Sequence, residues 1–235
     1  MVSVPVERRS RAPRGSGGLL HDEILDAATD LLLEAGDARS VSIRSVAQRV
    51  GVTPPSIYLH FADKDALLDA VCSRYFEKLD LEMQRAAQEH TSAVDALRAQ
   101  GQAYVRFAMQ TPELYRIATM GQWRSGRDID LALDSSAFQH IRATVQALVD
   151  EGIRLQDDPS TIALELWTAA HGVAAMLIAK PHLPFGDAEA FADRVLRAIF
   201  SGNMVAGLVG ADATPQQVVQ RLTALGSSEQ QPKGF

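Results

Sequence analysis

The sequence predicts an all-α fold, with a three-helix N-terminal domain built on a helix-turn-helix and a larger helical domain behind it. Three observations carry that prediction. From residue 19 almost to residue 208, apolar residues recur at intervals of three and four, the spacing of one helix face. No apolar–polar alternation of period two runs between hairpin turns, so no sheet is expected. Stop and start signals cut the pattern into helices of about 20–36, 43–50, 54–60, 64–88, 93–110, 112–120, 129–155, 159–181 and 187–207.

Residues 1–18 are rich in Arg, Pro, Ser and Gly and read as a disordered basic arm, with Arg8, Arg9, Arg11 and Arg14 against Glu7. The first helix is marked by Ile24, Ala27, Ala28, Leu31 and Leu32, with Ala35-Gly36 at its end. The next segment is the most informative of the chain. Ile43, Val46, Ala47 and Val50 fall on one helix face, Ser42 precedes them as a capping hydroxyl, and Gly51 follows where a left-handed backbone is favoured. Val52 points inward and Thr53 is placed to cap a second short helix. Pro54 suits the first turn of that helix, where no N–H partner is lost, and Pro55 still lies among the orphan donors. Ile57 and Phe61, four apart, pack back on the preceding helix, which leaves Ser56, Tyr58, His60 and then Lys64 outward.

Asp63 is placed to cap the fourth helix. Thr111-Pro112-Glu113 marks a stop and restart, Gly121 to Asp128 a loop, Asp157-Asp158-Pro159 another start, and Pro181 to Gly186 an end. After Gly210 the chain is polar and reads as a loose tail, in which 215–225 can form a short helix. The organisation is thus an arm over 1–18, a helix-turn-helix domain over 19–76, a larger domain over 77–208 and a tail over 209–235.

Composition sets bounds on function. The chain has 235 residues, 46% hydrophobic and 22% charged, as in ordinary globular proteins, and a net charge of −6. It is not a globally basic nucleic-acid coat, so any nucleic-acid contact must come from a local patch. Arg39, Arg44 and Arg49 form one, since no acidic residue occurs between positions 38 and 60. Cys72 is the single cysteine, which suits a reducing, cytoplasmic location, and its place on an apolar helix suits a small buried residue. No apolar run is expected to reach the roughly 18 residues of a membrane span, and the arginine-bearing N-terminus has no apolar stretch behind it. Six histidines invite a search for catalysis, but no His-Glu-x-x-His, Gly-x-Ser-x-Gly or phosphate-binding glycine loop occurs, and scattered histidines with one cysteine argue against zinc. No enzyme, cofactor or metal is expected.

The segment from about His21 to Phe76 resembles the DNA-binding domain of the tetracycline-repressor (TetR) family of bacterial transcriptional regulators. The resemblance rests on the first helix, on Ser42-Ile43, Val46-Ala47 and Gly51-Val52-Thr53, and above all on Ile57-Tyr58-Leu59-His60-Phe61 followed in register by Lys64-Asp65-Ala66-Leu67-Leu68. The chain departs from the family at Pro55, where glycine is common. The helix start survives that change, but the closeness of backbone approach to DNA is altered. Trp167, His171 and Gly172 resemble a Trp-His-Gly subtype of the family's C-terminal domain, and Thr111-Pro112-Glu113-Leu114-Tyr115 is similar to a segment common in such domains.

The resemblance implies a homodimeric repressor on a palindromic DNA operator, released by a small hydrophobic effector; the alternative is an activator or an effector-independent regulator with the same fold, ahead of a non-catalytic helical interaction protein or an enzyme. On this reading Ser42 and Lys64 meet phosphates from helix N-termini, and Tyr58 and His60 meet them near the end of the recognition helix. Thr53, Pro54 and Ser56 approach base edges, and Arg44 serves either contact. The dimer forms through the helices at about 159–181 and 187–207, which carry Ala163, Leu166, Ala170, Ala174, Leu177 and Ile178 on the first and Phe191, Val195, Ile199, Gly202 and Ala206 on the second. The effector pocket is expected among Tyr104, Phe107, Met120, Trp123, Phe138, Ile141, Trp167, His171 and Met176.

Overall fold

The structure is a computed structural model that describes residues 17–120 and 136–229. These residues hold ten α-helices and no strand: α1 (Gly17–Ala35), α2 (Ile43–Val50), α3 (Pro54–Tyr58), α4 (Lys64–Gln88), α5 (Ala93–Gln110), α6 (Pro112–Met120), α7 (Ser136–Asp150), α8 (Pro159–Ala179), α9 (Ala188–Val209) and α10 (Pro215–Glu229). A single 3₁₀ turn, Ala38–Ser40, joins α1 to α2. Residues 1–16 of the expected arm and the loop at 121–128 lie outside the described residues, and Gly17 and Gly18, expected in the arm, begin α1.

Most helix boundaries follow from caps. Asp63 Oδ1 accepts the Ala66 N–H at 2.8 Å at the start of α4, and Asp158 and Asp187 do the same for α8 and α9. The helix expected to run to residue 155 stops at Asp150. Gly152 takes φ +89°, and the Ile153 N–H returns to the Leu148 carbonyl at 3.0 Å, a left-handed C-terminal cap that ends α7 early. The tail is more ordered than its composition suggested: α10 runs fifteen residues, and the Arg221 guanidinium donates to the Val209 carbonyl at the end of α9.

The chain divides into two compact units. As far as it is described, the first comprises residues 17–78 and 111–120, and the second residues 79–110 and 136–229. The split differs from the linear boundary at 76, because α6 packs on α1 and Ile117 enters the first core. That core gathers Ile24, Ala28 and Leu32 of α1, Val46 and Ala47 of α2, Ile57 and Phe61, and Leu67, Leu68, Val71 and Cys72 of α4.

In the second unit α8 is the central helix, packed by α5, α7 and α9. Its residues Ile162, Ala163, Leu166, Trp167, Ala170, Val173, Ala174 and Leu177 are all buried. By length and composition it is also the one described helix apolar enough to cross a membrane, contrary to the sequence expectation, but its inward face is occupied by the neighbouring helices. Around it, Phe138, Ile141, Val145 and Leu148 of α7 and Leu97, Tyr104 and Ala108 of α5 complete the core. Gly207 lets α9 pass under the α7–α8 connection, since a Cβ there would lie 2.7 Å from the Arg154 carbonyl oxygen. Where α4 meets α7 in this unit, the buried Asp80 carboxylate is held by His140 Nδ1 at 2.8 Å and Gln84 Nε2 at 2.9 Å.

Candidate functional site

In the first unit, α2 and α3 form a helix-turn-helix whose turn is dictated by Gly51. It sits at φ +79°, and its N–H closes on the Ala47 and Gln48 carbonyls. Ile57, fully buried, pins α3 to the core. The outer face then presents Tyr58, more than half exposed, and Leu59, which is 86% exposed. His60 lies one turn beyond the end of α3, its N–H bonded to the Ile57 carbonyl at 2.9 Å.

Ser42 caps α2 in a reciprocal box: Ser42 Oγ accepts the Ser45 N–H at 3.1 Å, and Ser45 Oγ accepts the Ser42 N–H at 2.9 Å. Thr53 occupies the cap position of α3 in extended backbone but makes no side-chain cap. Its hydroxyl pairs with Ser56 Oγ at 3.0 Å, which corrects the expected capping role. Pro54 and Ser56 are half-buried, Arg44 is exposed on α2, and Lys64 is the first residue of α4. The structure therefore brings Thr53, Pro54, Ser56, Tyr58 and His60 onto one short segment, with Ser42 and Lys64 at the starts of α2 and α4.

Two features of this face were not legible in the sequence. Arg49, part of the expected basic patch, is turned back onto α1 in a two-pronged pair with Glu34 at 2.6 and 3.0 Å, and that hydrogen bonding holds the Glu34 carboxyl below the usual range. His21 of α1 stacks on Phe61 at 4.9 Å between ring centres and meets the His60 ring edge-on at 6.1 Å. It braces His60 from about forty residues away in sequence, a separation at which helical periodicity is silent. With no acid between positions 38 and 60, the outer face combines hydroxyls, an arginine, a lysine and helix N-termini, all suited to polyanion contact.

In the second unit the expected pocket aromatics form a packed cluster. Trp167 meets Tyr104 at 5.0 Å and Phe138 at 6.0 Å between ring centres, both edge-to-face, and Tyr104 Oη lies 3.4 Å from His171 Nδ1. Burial lowers the His171 pKa from the ordinary imidazole value of 6.5, which keeps the ring neutral at pH 7. Ile141 is buried, Phe107 half-buried, and Met176 is exposed on the outer side of α8, so Met176 does not line this core. The Met120 side chain and Trp123 lie outside the described residues.

A cavity of about 250 Å³ opens beside that cluster, among α5, α8 and α9 with Ile141 of α7. Of the expected lining residues that are described, only Tyr104 and Ile141 reach it. Leu97, Gly101, Leu166, Ala170, Leu196 and Phe200 supply most of its wall, and Arg98 and Arg197 add charge. At Gly101 α5 and α9 approach closely: a Cβ there would lie 2.8 Å from Leu196 Cδ1 and would push that side-chain end aside. Gln100, buried one residue earlier, has no partner for its Oε1 among the described residues. These residues escaped the sequence reading because small and aliphatic positions carry no chemical mark until helices are juxtaposed.

The outward face of α8 also differs from the expected one. Ala163, Leu166, Ala170, Ala174 and Leu177 are buried within the protomer, because α5, α7 and α9 pack on this face. The exposed stripe is Leu164, Thr168, Gly172 and Met176, at successive intervals of four. On α9, Phe191, Val195, Ile199 and Ala206 are half-buried and Gly202 is exposed.

Comparison with known proteins finds two matching families. Residues 24–71 match the family described as bacterial regulatory proteins, tetR family, and residues 97–199 match the tetracyclin repressor-like C-terminal domain; together they take in well over half of the chain. The class D tetracycline repressor protein of Escherichia coli is 26% identical over 141 residues, covering 59% of this chain and 58% of its own. The class A tetracycline repressor protein from transposon 1721 in E. coli is 46% identical over 48 residues, 20% of this chain and 22% of its own. The chain thus spans less than two thirds of the length of these curated relatives. A solved structure of a Rhodococcus sp. RHA1 protein of unknown function superimposes with a TM-score of 0.68 at 25% identity, over 79% of this chain and 95% of that one.

Proposed function

We propose, from the premise that this chain belongs to the tetR family of bacterial regulatory proteins, that it is a sequence-specific DNA-binding transcriptional regulator. The observation that carries the reading is the outer face of α2–α3, where hydroxyls and Arg44 converge with no acid between positions 38 and 60, ahead of Lys64, which stands between Asp63 and Asp65. Phosphates are met by Tyr58, His60 and Lys64 and by the backbone N–H groups at the start of α2, behind the Ser42 cap. Thr53, Pro54 and Ser56 face base edges in the major groove, with Arg44 at either kind of contact. The protein acts in the cytoplasm, without a catalytic role.

A five-residue recognition helix reads only a few base pairs, so we take the working form to be a homodimer on a palindromic operator. The faces that support it are the outward stripe Leu164–Thr168–Gly172–Met176 of α8 and the Val195–Gly202 face of α9, where small residues permit close helix approach. Trp167, His171 and Gly172 retain their likeness to the Trp-His-Gly subtype. The cavity of the second unit is the effector site. α4 contributes residues to both units, so an effector that favours a different placement of α4 lowers operator affinity by binding the DNA-incompetent state more tightly. The regulator is then a repressor released by its ligand.

Two substitutions test the interface. Lys64→Gln removes one phosphate contact per protomer, two per dimer, and should flatten the log–log dependence of DNA affinity on salt by about 1.8 and weaken all sequences alike. Arg44→Gln should either do the same or, if it reads a base, cost about 1–3 kcal/mol at one operator position only. Binding curves measured at several salt concentrations separate the cases. Unchanged curves for both variants would remove this face from the DNA contact.

A further inference from the structure

The geometry points to a small amphipathic carboxylic acid as the molecule taken by the cavity of the second unit, an apolar ring or short chain whose carboxylate is held by Arg197 with Ser201. This rests on the reading of that cavity as the effector site. The size comes first: about 250 Å³ lies just below the range of roughly 300–1,000 Å³ usual for drug-sized ligands, so the occupant is small. The wall comes next. Leu97, Gly101, Ile141, Leu166, Ala170 and Leu196 offer no hydrogen bond through their side chains, so the body of the ligand is apolar.

The charged groups decide the rest. Asp95, Arg98, Arg197 and Ser201 line the cavity, and Asp193 stands behind the two arginines. Asp193 is saturated. It accepts from Arg98 Nε at 2.5 Å and Nη2 at 2.9 Å and from Gln102 Nε2 at 3.1 Å, and Arg197 Nε stands 3.2 Å away as an ion pair. Arg98 is therefore committed in a two-pronged pair, whereas Arg197 makes an ion pair with Asp193 but no hydrogen bond among the described residues. Its side chain is 62% exposed and lines the cavity, so its N–H groups are open to a ligand. A guanidinium edge with two free N–H donors matches a carboxylate in planar, two-pronged geometry, and Ser201, one turn further along α9, adds a hydroxyl. Asp95 does not offer the opposite specificity. It lies one turn before Arg98, whose charge offsets it, in the first turn of α5, where the helix dipole already favours an acid. Asp95 and Asp193 balance Arg98 and Arg197 in charge, and Arg197 is the one of the two guanidiniums that makes no hydrogen bond among the described residues, so it is the group open to a carboxylate.

The test is calorimetric titration of the full chain with phenylbutyrate, phenylbutanol and phenylbutylamine, and with octanoate, octanol and octylamine, repeated on Arg197→Gln. Arg197 is surface-exposed, so the variant folds. The acids are expected to bind about tenfold or more tightly than the matched alcohols and amines, and Arg197→Gln to bring them down to the alcohols while leaving the alcohols unchanged. Alcohols that bind as tightly as acids, or acids indifferent to Arg197→Gln, overturn the carboxylate assignment and leave the cavity a ligand site. Amines that bind best overturn it in favour of Asp95. No binding by any of the six overturns the effector-site reading together with it.

Discussion

Trp167→Ala should destabilise the second unit by about 3–5 kcal/mol, the usual cost of emptying a buried tryptophan site. The side chain is 8% exposed and holds two edge-to-face contacts, with Tyr104 and Phe138. Each such pair adds about 0.5–1.5 kcal/mol beyond burial. The loss is a large share of the roughly 5–15 kcal/mol that keeps a domain folded, and should lower the melting temperature by roughly 6–20 °C. Thermal unfolding followed by circular dichroism reads it directly. The result also decides what the aromatic cluster is. A variant that melts with the parent chain would mean that Trp167 walls an open site and that the sequence expectation of a pocket there was right. The packed geometry predicts otherwise, with the open space lying one helix face away, toward α9.

The counterpart in the first unit is Ile57→Ala, with an expected cost of about 2–5 kcal/mol. Ile57 is completely buried and packs in a cluster with residues of α1, α2 and α4. α3 has only five residues, far below the dozen or more that an isolated helix needs, so its direction is set by Ile57 and Phe61 rather than by its own hydrogen bonds. Emptying the Ile57 site should therefore abolish DNA affinity through loss of the α3 orientation. Lys64→Gln, by contrast, alters DNA binding with stability within about 0.5 kcal/mol of the parent. An Ile57→Ala chain with normal stability and normal DNA binding would show that α3 is positioned by something other than this core.

The contrast between what was and was not readable in the sequence follows the range of the interactions. Ser42, Gly51, Asp63, Pro112 and Asp158 act within a turn of themselves, and the helices they bound lie within about two residues of expectation at those ends. α8 shows where the local signal fails. An amphipathic helix declares its inward face, but α8 has few polar residues beyond Thr161, Glu165, Thr168 and His171 and carries small residues on both sides, so Ala163 and Ala170 were not told from Gly172 until α5, α7 and α9 were packed on it. The cavity fails for the same reason: Gly101, Leu166 and Leu196 become neighbours only through tertiary packing. Arg49 and His21 belong to a third kind. Their partners, Glu34 and Phe61, lie across helices, and no spacing rule joins them. α3 was legible because Ile57 and Phe61, four apart, turn inward while Ser56, Tyr58 and His60 between and around them are polar, although Leu59 breaks that pattern at 86% exposure.

The account turns on one claim, that α2–α3 reads DNA as part of a symmetric pair. The most direct test is selection from a pool of random-sequence duplexes by the full-length protein at physiological salt, with each enriched sequence then titrated. The account predicts enrichment of a two-fold symmetric motif whose half-sites lie one helical turn, about 34–36 Å, apart, with affinity at least about a thousandfold above unselected DNA. A pool that emerges without a preferred sequence, bound only through its charge, would contradict it.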